Sequence, residues 1–101
     1  MACKVCKYIS SQPVVGTAFV TYNLPVCTCC LKSNSLFRVV IPLASASTLP
    51  VEFITCDGRI HSVIKTSDGT AVTASGLLAN VDYICTLECT ASGYQVQITN
   101  L

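Results

Sequence analysis

Charge is scarce in this sequence: charged side chains make up 11% of 101 residues, against 51% hydrophobic ones. Such a composition is far from that of a disordered segment, and it leaves few charges to keep a free surface soluble. Part of the apolar surface is therefore expected to be covered by other subunits. The six basic residues are scattered as Lys4, Lys7, Lys32, Arg38, Arg59 and Lys65, and the formal net charge is +1. No basic face is assembled to neutralise a phosphate backbone, so nucleic acid is not an expected partner.

Other signals are missing too. Met1 to Lys7 contains no apolar core of a signal peptide, and no later stretch approaches the roughly 20 apolar residues that span a bilayer. The expectation is a protein made and folded in the cytoplasm, with no membrane partner. No segment carries an i, i+3, i+4, i+7 apolar stripe, which argues against helices. There is no P-loop, no glycine-rich dinucleotide fingerprint and no G-x-S-x-G elbow.

What the chain does contain is β-branched residues and turn signals. Its length suits one domain and a modest core, and residues 1–101 are read as a single unit. Val14 to Leu24 and Ser35 to Leu43 read as strand-forming runs bounded by prolines. The small-residue stretch Ala44 to Thr48 reads as a loop across one end that separates the cysteine-rich first half from a cleaner β-meander, and the single domain is read as a cysteine-rich lobe (1–34) followed by a β-meander region (35–101). Asp57-Gly58 and Asp68-Gly69 supply the positive φ of tight turns, and each predicts a chain reversal. If Asp57-Gly58 is a two-residue turn, Thr55 faces Ile60, Phe53 faces Ser62 and Val51 faces Ile64 on the core side. Glu52, Ile54, Cys56, Arg59, His61, Val63 and Lys65 then lie on the outer side. A further hairpin joins Asp82–Thr90 to Tyr94–Thr99, with Tyr83, Cys85, Leu87 and Cys89 alternating inward, and Tyr94, Val96 and Ile98 likewise. The fold class expected is all-β: one small antiparallel sandwich or barrel-like domain with a cysteine-rich N-terminal lobe.

The eight cysteines carry the sharpest local signal. Cys3-Lys4-Val5-Cys6 and Cys27-Thr28-Cys29-Cys30 are two C-x2-C pairs, the spacing of a four-thiolate zinc site. Cys3, Cys6, Cys27 and Cys30 are the candidate ligands, with Cys29 as a competitor for a place in the set. Four protein ligands leave no open position, so such a zinc ion would be structural. Two alternatives stand beside it: reduced buried thiols, or disulfides joining the two pairs in an oxidising setting. Cys85 and Cys89 are four residues apart on a strand, about 13 Å, too far to share a disulfide or an ion, and read as core.

No catalytic residue is expected. In the two-residue register, Cys56 and His61 share a face but lie out of register, and His61 reads as an exposed strand histidine. Asp57, Asp68 and Asp82 sit in or beside turns, where carboxylates bond local amides.

The segment from Cys56-Asp57-Gly58-Arg59-Ile60 through Ser67-Asp68-Gly69-Thr70-Ala71-Val72-Thr73, Gly76-Leu77-Leu78-Ala79-Asn80-Val81-Asp82-Tyr83 and Ser92-Gly93-Tyr94-Gln95-Val96 resembles small β modules of tailed-bacteriophage structural proteins. These include capsid auxiliary or decoration proteins, head fibres and tail appendages. The likeness covers about half the chain and leaves out the cysteine-rich part. It implies a virion component, most simply a decoration protein that stabilises a capsid lattice. Its partners would be the major capsid protein or other virion proteins, and it would act as a homo-oligomer or as lattice-bound copies. The alternative is a cellular zinc-ribbon-like module whose metal lobe docks another protein.

Overall fold

A computed structural model of the chain describes residues 6–32, 36–91 and 93–101. Local signals account for most of the elements. Strands β1 (Cys6–Ile9), β2 (Val14–Val15) and β3 (Val20–Asn23) come first, followed by a single helical turn, α1 (Thr28–Lys32). Then come β4 (Phe37–Val40), β5 (Val51–Ile54), β6 (Ile60–Lys65), a 3-10 turn at Ala74–Gly76, β7 (Tyr83–Thr90) and β8 (Gly93–Ile98). The run Val14 to Leu24 is not one strand. Gly16 donates its N–H to the Phe19 carbonyl at 2.9 Å and folds the run into the β2–β3 hairpin.

All eight strands join one sheet in the order β1-β4-β7-β8-β6-β5-β3-β2. The expected all-β class holds, but the sheet is mixed: β1 with β4, β3 with β5, and β6 with β8 are parallel pairs. The second half is therefore not a meander. The two halves of the chain also interleave, since β1 and β3 pair with β4 and β5.

Chain length forces the sheet to curl. β1 and β2 are its opposite edges, yet only residues 10–13 connect them. Seven strand spacings in a flat sheet cover about 34 Å, whereas the five Cα steps from Ile9 to Val14 reach at most about 18 Å. The sheet accordingly bends into a half-barrel, and the connection stitches its edges. Ser10 donates its N–H to the Val40 carbonyl at 3.0 Å, and Ser11 to the Asn23 carbonyl at 2.8 Å. Asn23 returns its N–H to Ser11 Oγ at 3.0 Å.

The concave face holds one apolar cluster, including Val20, Tyr22, Phe37, Val39, Val51, Phe53, Val63, Leu77, Cys85, Val96 and Ile98. Tyr22 and Phe53 meet edge to face, with ring centroids 6.1 Å apart. Cys85 belongs to this core, and its burial pushes the thiol pKa up to about 12, which removes it from thiolate chemistry at neutral pH. Cys89 does not: it is exposed. The β4–β7 pairing ends at Phe37 opposite Cys85, so the rest of β7 runs past the core.

The β5–β6 hairpin corrects the expected register. Its pairs are Glu52–Ser62, Phe53–His61 and Ile54–Ile60. Thr55 donates its N–H to the Arg59 carbonyl at 3.1 Å, so the loop is three residues, Cys56-Asp57-Gly58, with Gly58 at φ +80°. Glycine adopts that left-handed conformation at no steric cost. One extra loop residue turns every β6 side chain to the opposite face. Val51, Phe53 and Thr55 point inward as expected, but on β6 it is His61 and Val63 that are buried, while Ile60 is 60% exposed. At the second turn the local chemistry is as read: Gly69 has φ +72°, and Asp68 Oδ1 accepts from both the N–H and the hydroxyl of Thr70.

Candidate functional site

Two cysteines organise the polar end of the half-barrel. Cys27 precedes α1, Cys56 opens the β5–β6 loop, and a disulfide joins them with their Cα atoms 4.8 Å apart. The backbones are bonded there as well, Cys56 donating its N–H to the Val26 carbonyl at 2.9 Å. Each cysteine is followed by a residue of the site, Thr28 and Asp57.

Beneath them lies a cluster of four side chains. Thr28 Oγ1 is 3.0 Å from Thr55 Oγ1 and 3.2 Å from Asp57 Oδ1. The Thr55 hydroxyl also donates to Asp57 Oδ1, in the closest contact of the group. His61 Nε2 is 3.2 Å from each threonine oxygen, and its Nδ1 is 3.3 Å from the Tyr94 carbonyl. A carbonyl only accepts, so Nδ1 carries the proton it donates, and Nε2 faces the two hydroxyls. His61 is 1% exposed and satisfied on both nitrogens. The Thr55 hydroxyl is the chief cause of the lowered pKa of Asp57; desolvation opposes it, and the Thr28 hydroxyl adds a lesser lowering.

Above the cluster opens a polar cleft of about 270 Å³ lined by Thr28, Cys29, Asp57, Arg59 and Tyr94. Arg59 Nε approaches Asp57 Oδ2 at 3.4 Å, and the arginine side chain remains two-thirds exposed at the rim.

The cysteines proposed as zinc ligands are placed as follows. Cys3 lies outside the described residues. Cys6 is half-buried on β1, Cys30 is exposed on α1, and Cys27 is bonded to Cys56. Among the described residues, no three His, Cys, Asp or Glu side chains gather as a metal-ligand group. A zinc ion on Cys3, Cys6, Cys27 and Cys30 needs Cys27 as a thiolate, and so needs this disulfide reduced.

A second surface is apolar. Large hydrophobic side chains at least 40% exposed are Ile9, Val14, Val15, Phe19, Leu43, Ile60 and Leu78. Four of these fall within residues 9–19: Ile9 at the end of β1, and Val14, Val15 and Phe19 on and beside the outer strand β2, whose one sheet partner among the described residues is β3. No helix among the described residues is long and apolar enough to cross a membrane.

Comparison with protein-family models, with curated proteins and with solved structures found no match.

The residues missed in the sequence are Thr28 and His61. Thr55 was legible as an inward residue and Asp57 as a turn residue. Nothing along the chain linked either of them to Thr28, which reaches the cluster only because α1 is stapled to the β5–β6 loop.

Proposed function

We propose that this chain is a structural assembly module that docks in many copies onto a protein lattice of the capsid type, as a decoration protein does. The observation that carries the reading is the exposure of Val14, Val15 and Phe19 on and beside edge strand β2, and of Ile9 on the opposite edge strand β1. An unpaired edge strand offers backbone donors and acceptors to a partner, and exposed apolar side chains beside it add buried area on contact. Low charge suits a surface packed among neighbours, and repetition turns weak single contacts into stable occupancy. The finer identification, a tailed-phage virion component bound to the major capsid protein, rests on the likeness of residues 56–96 to such modules.

The test is co-sedimentation of the purified chain with capsid shells assembled without it. The reading expects the chain to pellet with the shells, and the Val14→Lys/Val15→Lys variant to stay in the supernatant. A chain that stays in the supernatant as a monodisperse monomer would overturn the reading, and equal pelleting of the variant would remove the β2 edge from it.

A further inference from the structure

The Thr28–His61 pair has a property that the docking role does not use. We propose that Thr28 and His61 form a nucleophile–base pair for acyl transfer, acting on small esters that carry an anionic group. The pairing rests on geometry. Thr55 makes the closest contact with Asp57, while Thr28 Oγ1 stands 3.2 Å both from Asp57 Oδ1, to which its hydroxyl donates, and from His61 Nε2, to which the same hydroxyl can turn its proton. The Tyr94 carbonyl holds the ring in the tautomer that presents a basic Nε2 to Thr28. A hydroxyl, a base within hydrogen-bond reach and a third group orienting the base are the parts of an activated nucleophile.

The surroundings suit that chemistry. His61 is buried, so water does not compete for its lone pair, while Thr28, itself only 4% exposed, lines the cleft. Asp57, one hydroxyl away from the ring, stabilises the imidazolium that forms when Nε2 takes the proton. Arg59 engages Asp57 through Nε, lines the cleft and stays two-thirds exposed, so its guanidinium is available to a substrate carboxylate.

The reaction balances without a co-reactant other than water. Thr28 Oγ1 attacks the ester carbonyl as its proton passes to His61 Nε2, and the bond to the alcohol oxygen breaks. That oxygen takes the proton from Nε2, leaving an acyl ester on Thr28. Water then attacks the acyl carbon with His61 again as base, which releases a carboxylic acid and restores the hydroxyl.

The test uses the oxidised full chain with p-nitrophenyl acetate and with the mono-p-nitrophenyl ester of glutaric acid, followed by mass mapping of the acyl group. The expected result is one acyl group on Thr28, formed at least about tenfold faster from the anionic ester. Thr28→Ser should keep the labelling and Thr28→Ala should lose it. His61→Gln should slow acylation by about 100-fold or more, the scale of a lost general base. Arg59→Gln should erase the preference for the anionic ester. If His61→Gln does not fold, the position of the label in the wild type and in Thr28→Ser decides. Acyl groups found only on Cys29 or lysines, no acylation at all, or an unchanged rate in folded His61→Gln would overturn the proposal. None of these outcomes bears on lattice docking, which uses the β2 edge.

Discussion

Cys27 and Cys56 stand 29 residues apart in the chain and are joined by a disulfide, and the residues that follow them, Thr28 and Asp57, are hydrogen-bonded at 3.2 Å. One covalent link thus holds α1 against the β5–β6 loop, next to the cluster that contains His61.

Replacing both cysteines, Cys27→Ser/Cys56→Ser, is expected to lower stability by about 3.5 kcal/mol, the chain-entropy value for a loop of this length. Urea unfolding with and without reductant checks it. Reductant should bring the wild type close to the variant and leave the variant where it is. Metal analysis of the reduced protein, purified without chelator, belongs to the same experiment. Zinc on Cys3, Cys6, Cys27 and Cys30 would appear there at about one ion per chain and disappear when the four are serine.

Acid should loosen the same corner. The folded pKa of Asp57 lies below its ordinary value of 3.8, chiefly because the Thr55 hydroxyl bonds the carboxylate. A depressed folded pKa contributes stability that is present above the unfolded value and is lost as pH falls through the folded one. Stability measured from pH 5 downward should therefore drop less steeply in Asp57→Asn than in the wild type. Identical slopes would show that the cluster contributes nothing to acid sensitivity.

The hydroxyl of Tyr22 is buried with no hydrogen-bond partner among the described residues, and burial, with a smaller contribution from Tyr83, raises its pKa. Tyr22→Phe removes a desolvated polar atom and keeps the ring against Phe53. It is expected to stabilise the chain by about 1 kcal/mol, read as a higher urea midpoint with an unchanged slope. A lower midpoint would mean that the hydroxyl has a partner.

Gly58 tests the three-residue loop. A Cβ there would meet no atom within 4 Å, so the cost of Gly58→Ala comes from the left-handed backbone at φ +80° alone. The expected loss is about 1 kcal/mol. An unaltered midpoint would speak for a different turn, and with it for a different register of β6.

That register shows where sequence reasoning stops. In β6 the two alternating sets, Ile60-Ser62-Ile64 and His61-Val63-Lys65, differ little as candidates for a core, and the more aliphatic set reads as the inward one. The structure buries the other set because two distant partners accept it. Thr28 and the Tyr94 carbonyl satisfy His61, and β8 pairs in parallel with β6 through Val63 and Val96. Cys89 failed as a core residue for a related reason, since the alternation continues along β7 beyond the point where β4 covers it.

By itself the sequence determined what is local: strand-forming runs, reversals at Asp57-Gly58 and Asp68-Gly69, the inward set Val51, Phe53 and Thr55, and the alternation that leads into Cys85, Val96 and Ile98. A period of two and a positive φ are properties of a few neighbouring residues, so they can be read directly. Only the tertiary structure decided which strands pair, that both halves share one curled sheet, that Cys27 bonds to Cys56, and that His61 is buried beside Thr28. Those features depend on contacts between residues about thirty or more apart along the chain, and each is settled by whether a distant group satisfies the buried one, which no local pattern records.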